Sequence, residues 1–255
     1  MGGRRAGAEE GIGILTSHSN IEEFIDLDAV TTYLLGDLWA AIDGWSHGLP
    51  RDEVALLNRI TERLNRRRRN CDVGVRSSVE LVTELFVLHR AGTKQTDRFG
   101  ADLAVTIRIP KLQLVKTVLF QLKIGSGHRI TLDAAQLRDS QAFPETAPRA
   151  FVLAIDQLRY ACRINSVTSC RAAIPTAQGS ITMDTALWEG TASWVIEWFR
   201  CSRAPASDPA SGMTVEEMLA KHRVPQREDR DAPAGADSEL MPARVWLEYL
   251  FQARE

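Results

Sequence analysis

Apolar positions in the first part of the chain recur at three- and four-residue spacing. Phe24, Ile25, Val30, Tyr33, Leu34, Leu38 and Trp39 form one such stripe and predict a helix starting at Ile21. Gly44 and the Gly48-Leu49-Pro50 turn break it. A second stripe, Val54, Leu56, Leu57, Ile60 and Leu64, predicts a helix over 51–69. Ser77-Ser78 reads as the N-cap of a third helix over 79–90, with Val79, Val82, Leu85, Phe86 and Leu88 apolar and Gly92 closing it. Glu80 and Glu84, four apart, would share one side of that helix.

The texture then changes. Residues 102–109, DLAVTIRI, are β-branched and alternating and predict a strand; Pro110-Lys111 is a turn. Residues 115–124, VKTVLFQLKI, predict a second strand, ended by Gly125–Gly127. A short amphipathic helix is expected over 133–143 and a buried strand over 150–155. Further strands and turns follow over 161–185, then an aromatic-rich helix over 188–200 whose tryptophans read as core. Residues 202–212 and 225–242 have the composition of linkers, with helices expected over 215–222 and 243–254. The Gly- and charge-rich residues 1–20 read as a flexible leader.

Composition narrows the function classes. With 255 residues, 44% hydrophobic and 25% charged, the chain is globular and needs neither disulfides nor a structural metal. A net charge of −2 argues against a protein that coats nucleic acid indiscriminately, so any polyanion site must be a local patch. The run Arg66-Arg67-Arg68-Arg69 reads two ways, as a solvated helix end that suits the macrodipole or as a phosphate or partner patch. Cys71, Cys162, Cys170 and Cys201 form no CxxC and imply a reducing, cytoplasmic setting rather than zinc. No apolar run is long enough for a membrane span, and no GK[ST] follows the short Gly125–Gly127 stretch, which excludes a nucleotide-binding loop.

One constellation carries chemistry. Asp102 opens the first of the two strands, and Gln121 and Lys123 lie near the end of the next, on one face because strand side chains alternate. A carboxylate, an amide oxygen and the Leu122 backbone carbonyl are hard oxygen donors of the kind that bind Mg²⁺ or Mn²⁺. A lysine beside them would hold water and offset charge developing on phosphorus. Two polar residues interrupting an apolar strand need such a reason. His128, after Gly125-Ser126-Gly127, is a weaker candidate for contact with a phosphate.

The order helix-Glu, GxD, QxK resembles the PD-(D/E)xK nuclease superfamily, the restriction-endonuclease-like fold. Its QxK form is similar to the Mrr-type branch, in which glutamine replaces the second acid. VELVTELFVLHRAG resembles the first helix of that core, FGADLAV the metal-binding strand and VLFQLKIG the QxK strand. The resemblance covers roughly residues 75–157. It implies an α/β fold with a mixed central sheet flanked by helices in αβββαβ order. Around it, the pattern along the chain marks an N-terminal helical region over 21–70, a core over 71–200, and a linker with C-terminal helices over 201–255. As to function, the resemblance implies Mg²⁺- or Mn²⁺-dependent cleavage of DNA, with RNA left open, in a restriction or anti-phage setting. Asp102, Gln121 and Lys123 carry over directly as catalytic residues, with Glu80 or Glu84 as the helix ligand, and because the next helix flanks the site in that fold, the resemblance also implies Gln136 and Arg138 as candidates for contact with DNA. Cutting two strands would call for a homodimer or a partner subunit. Two other readings stay open: a catalytically silent nuclease-fold assembly module, and a DNA-binding regulator using the N-terminal helices and Arg66–Arg69.

Overall fold

The computed structural model describes residues 26–47, 52–64, 67–73, 77–88, 98–110, 114–144, 146–156, 161–175, 179–200 and 214–221. The expected leader, both linkers and the helix over 243–254 lie outside the described residues.

Helix α1, Leu27–Ser46, is capped by Asp26, whose side chain accepts from the Ala29 amide at 3.0 Å. Gly44 does not break it. It lies inside the last turn, where an added Cβ would stand 3.4 Å from Arg59 Nη1 of the next helix. That helix, α2 (Glu53–Leu64), starts after Asp52, whose carboxylate accepts from Ala55 N at 2.7 Å. It buries Leu56, Leu57, Ile60 and Leu64, the expected stripe, but stops before the arginine run.

Arg67–Val73 instead forms strand β1, and Ser77–Val87 forms strand β2, paired antiparallel with Asn70 opposite Glu80. The helix expected over 79–90 is thus a strand, and the backbone of Arg67–Arg69 is a strand rather than a helix end. VELVTELFV satisfies both periods. Its apolar residues at three-residue spacing suit a helix, yet Leu81, Thr83 and Leu85 are buried in alternation on one face of the strand, while Phe86 is buried in a separate cluster on the other. Thr83, a buried hydroxyl residue, hid that alternation, and the β-branched Val79, Val82, Thr83 and Val87 favour the strand.

β3 (Leu103–Ile109) and β4 (Leu114–Gly125) pair antiparallel, with Leu103 opposite Phe120. β5 (Arg129–Asp133) follows, a strand between Gly127 and the helix that the sequence pattern does not predict. Helix α3 (Ala134–Asp139), capped by Asp133, is shorter than expected and carries the chain to β6 (Ala150–Asp156), which runs parallel to β4. β7 (Ala161–Ser166), α4 (Val167–Ala172), β8 (Ser180–Asp184), β9 (Glu189–Gly190), α5 (Thr191–Phe199) and α6 (Val215–Lys221) complete the described elements.

The main sheet has the order β1-β2-β3-β4-β6-β7-β9, and β5 and β8 form a second, two-stranded sheet. Read along the chain, α2, β2, β3, β4, α3 and β6 give the αβββαβ order of a restriction-endonuclease-like α/β fold, with α2 in the first helix position. Three antiparallel pairs precede one parallel pair, so a crossover is required after β4, and α3 supplies it. Leucines and isoleucines of α1 and α2, with Trp194 and Trp198 of α5, pack on one face of the sheet against Leu103, Ile107, Phe120 and Leu153. The other face packs Val152 and Ala154 under Leu132, Leu137, Val167 and Trp188. No helix among the described residues is long and apolar enough to cross a membrane.

Candidate active site

Strand β3 begins one residue after Asp102, whereas β4 runs on to Gly125. Past Phe120, β4 therefore has an edge from which β3 has withdrawn. Two carboxylates occupy it. Asp102 Oδ2 accepts from Leu122 N at 2.7 Å, and Glu53 Oε1 accepts from Ile124 N at 3.4 Å. The acids thus extend the ladder in place of a strand. They satisfy amides that burial would otherwise leave without partners.

The local sequence explains how Asp102 is held there. Phe99 and Gly100 both adopt left-handed backbone, with φ of 58° and 61°. Phe99 meets this cost through burial and an edge-to-face contact with Phe143, the ring centroids 5.6 Å apart. Gly100 is obligatory for a second reason. A Cβ there would stand 2.2 Å from the Gln136 carbonyl oxygen and 2.8 Å from Ser140 N, so α3 packs directly on its Cα. The glycine of the GxD pattern is where helix and strand backbone meet. The next two backbone groups lock the strand entry: Asp102 N donates to the Phe120 carbonyl at 2.9 Å, and Leu88 N donates to the Asp102 carbonyl at 2.8 Å.

Gln121 and Lys123 leave the same face of β4. Gln121 is buried, and its Nε2 donates to Gln136 Oε1 on α3 at 2.6 Å. That bond fixes the amide orientation and leaves Gln121 Oε1 buried with no hydrogen-bond partner among the described residues. Lys123 has a side chain only 13% exposed, and its Nζ lies 3.5 Å from Glu53 Oε2. Glu53 therefore holds the strand with one oxygen and the ammonium with the other.

Glu53, rather than the expected Glu80 or Glu84, is the helix carboxylate that the structure brings to this edge. Both of those lie on β2, not on a helix. Val82 pairs with Arg108, six positions along β3 from Asp102, which sets Glu80 more than about 20 Å from Asp102 along the sheet. Glu84 is bound to Arg108 Nε at 2.8 Å. Glu53 was missed because an acid directly after an N-cap is expected at any helix start. The signal available was an acidic helix start preceding a strand pair that carries GxD and QxK.

The weaker candidates separate. Gln136 is at the site, as the partner of Gln121. Arg138 is exposed on α3, its Nε donating to the Ala134 carbonyl at 3.3 Å. His128 has a φ of 64°; its amide donates to Asp156 Oδ2 at 2.8 Å, and its carbonyl accepts from Thr185 N at 2.7 Å. Its ring Nδ1 stands 3.7 Å from the same Asp156 oxygen. Arg66 and the side chains of Arg67, Arg68 and Arg69 lie outside the described residues.

No protein-family model matches the chain, and no curated protein matches it. Among solved structures it is similar to that of D212, a nuclease from a fusselovirus, at 11% identity and a TM-score of 0.29, over 40% of this chain and 68% of that one. The fold assignment rests on sheet order and the crossover helix, not on this similarity.

The donor set can be tested against a divalent cation. Among the described residues, no three His, Cys, Asp or Glu side chains come together as a metal-holding group. A site here must draw on amide and backbone oxygens as well. Gln121 Oε1 is such a donor, buried and without a hydrogen-bond partner, a situation that costs about 1–3 kcal/mol unless a ligand satisfies it. With the adjacent Asp102 carboxylate it offers the hard oxygens that Mg²⁺ and Mn²⁺ prefer.

Proposed function

We propose that the protein is a metal-dependent nuclease that hydrolyses DNA phosphodiester bonds at the cleft where β3 and β4 separate. What supports this reading is that Asp102 and Glu53 hold the open-edge amides of Leu122 and Ile124 on the strand that carries Gln121 and Lys123, with Gln121 Oε1 buried and without a hydrogen-bond partner among the described residues.

Asp102, Gln121 Oε1 and the Leu122 carbonyl are the groups that would hold Mg²⁺ or Mn²⁺. In a strand the carbonyl and amide of one residue face the same side, so the Leu122 carbonyl shares the open edge with the amide that Asp102 holds. Such a cation would supply Lewis acidity toward a phosphoryl oxygen and toward water. Lys123 presents a fixed positive charge where the phosphoryl oxygens gain negative charge, and its ammonium protons can hold the attacking water. Glu53 limits the motion of that ammonium. The Gln136 bond keeps the oxygen of Gln121, not its NH₂, turned away from α3. The low exposure of Lys123 and Gln121 excludes bulk water and strengthens each of these interactions.

The test is cleavage of supercoiled plasmid in Mg²⁺ by the wild type, Asp102→Ala and Lys123→Ala. Wild type nicks or linearises the plasmid, EDTA stops it, and each variant loses at least about a hundredfold in rate. Equal cleavage by all three proteins sinks the site, and no cleavage by wild type sinks the activity.

A further inference from the structure

Helix α6 is remote from Asp102 in the chain, yet it packs into the cluster around the turn that presents that residue. Its start is fixed by two reciprocal bonds. Thr214 Oγ1 accepts from Glu217 N at 3.2 Å, and Glu217 Oε2 accepts from Thr214 N at 2.7 Å. This is a capping box, with threonine before the helix and glutamate three positions on. Val215 and Met218, three apart, then share one helix face, and both are fully buried.

The cluster they enter surrounds the backbone of Asp102. Among the described residues its other buried members all lie within 86–119, so α6 alone brings buried residues from elsewhere in the chain. Three of those members flank Asp102 directly. Ala101 precedes it, Leu88 N donates to its carbonyl, and Leu119 adjoins Phe120, whose carbonyl accepts from Asp102 N. A fourth is Phe99, which holds a φ of 58°. A bulky side chain keeps left-handed backbone only where its surroundings over-determine it. The Phe143 ring meets Phe99 edge to face, and Val215 and Met218 complete the same cluster.

We propose that Val215 and Met218 are positioning residues. Through Phe99 they hold the Gly100-Ala101-Asp102 turn, keep the Asp102 carboxylate on the open edge of β4, and so set the affinity of the site for a divalent cation. The inference rests on the metal-dependent nuclease reading above. Truncating Met218 opens a cavity into which the cluster relaxes, and the left-handed turn loses part of its restraint. The bond from Leu122 N to Asp102 Oδ2, 2.7 Å long, then opens more often.

The experiment compares the full chain as wild type, Met218→Ala, Met218→Leu and Glu217→Ala. Ile164→Ala serves as a control, since it opens a cavity on β7, in the cluster on the opposite face of the sheet. Plasmid cleavage across a Mg²⁺ series gives the half-saturating concentration and the maximal rate. Hydrogen exchange of the Leu122 amide, followed by NMR in EDTA, reports the Asp102 bond without any cleavage. Met218→Ala is expected to raise the half-saturating Mg²⁺ concentration on the order of tenfold, with a smaller change in maximal rate. It also speeds Leu122 exchange beyond what Ile164→Ala does for the same loss of Tm. Met218→Leu conserves volume and restores both readouts. Glu217→Ala leaves the buried residues in place, loosens the capping box, and moves both readouts the same way by a lesser amount.

Readouts that change no more in Met218→Ala than in Ile164→Ala overturn the inference and leave the nuclease reading intact, because α6 is then ordinary core. Faster Leu122 exchange with an unchanged Mg²⁺ dependence overturns it too. If Met218→Ala does not fold, Glu217→Ala decides by the same two readouts. A wild type that never cleaves overturns the nuclease reading; Leu122 exchange, with the thermal shift on Mn²⁺ titration, then decides the role of α6. A wild type that neither cleaves nor shifts overturns both.

Discussion

Glu53 holds two groups at once, the Ile124 amide and the Lys123 ammonium. Glu53→Gln separates the two roles, because the amide oxygen still accepts from Ile124 while the negative charge beside Lys123 is gone. The expected result is a cleavage rate lower by about 10–100-fold at nearly unchanged Tm; an unchanged rate would mean that Glu53 serves only the strand. Glu84→Gln probes the earlier assignment. It removes a half-exposed pair with Arg108 and is expected to cost no more than about 1 kcal/mol in chemical denaturation. Two cysteines sit apart from this chemistry. Burial pushes the thiols of Cys162 and Cys170 from 9.0 up to about 12, so neither is a nucleophile near neutral pH. Because these folded pKa values are raised, the unfolded chain gives up thiol protons first as pH rises. Stability is full below pH 9 and is lost towards pH 12, by up to about 1.4 kcal/mol per pH unit for each thiol. Denaturation curves from pH 8 to 11 should show this fall, and Cys162→Ala/Cys170→Ala should flatten it.

At the scale of elements, the packing of α3 on the entry to β3 gives Gly100→Ala a double penalty. The new Cβ meets the Gln136 carbonyl and Ser140, and the residue must hold a φ of 61°. Overpacking of about 1–3 kcal/mol is expected, with a further cost of about 1 kcal/mol for left-handed backbone. Because Asp102 lies two residues on, cleavage should fall along with stability; a variant as stable and active as wild type would show that α3 does not set the strand entry. This junction also marks what the sequence could and could not reveal. β3, β4 and β6 were legible because their apolar runs are bounded by turn residues and point to one period. β2 was not, since VELVTELFV fits both periods and only its neighbours β1 and β3 select the strand. As candidates, Gln121 and Lys123 stand out because they interrupt an apolar strand and Asp102 because it precedes one, whereas Glu53 looks like an ordinary helix start.

For the whole molecule, the site and the core are one structure. α1 and α2 share a single apolar cluster with the sheet and α5, so the helix bearing Glu53 should unfold together with the strands bearing Asp102 and Lys123. A net charge of −2 gives no general attraction to a polyanion, so the proposed nuclease activity would draw its affinity from local groups and a cation. A cation that binds only the folded chain must stabilise it, and this can be read without any cleavage. At a concentration one hundred times its Kd, the gain is about 2.7 kcal/mol. Thermal unfolding of the wild type should therefore shift upward on titration with Mg²⁺ or Mn²⁺, with one cooperative transition throughout. Gln121→Leu removes the unsatisfied oxygen, and Asp102→Asn removes the charge while keeping an oxygen to accept from Leu122 N. Both variants should fold in EDTA and show little or no upward shift with either cation. A shift of the same size in all three proteins would mean that the cation binds elsewhere. No shift in the wild type, at cation concentrations that support cleavage, would mean that the cation arrives with the nucleic acid and that its phosphates complete the donor set Asp102 and Gln121 begin.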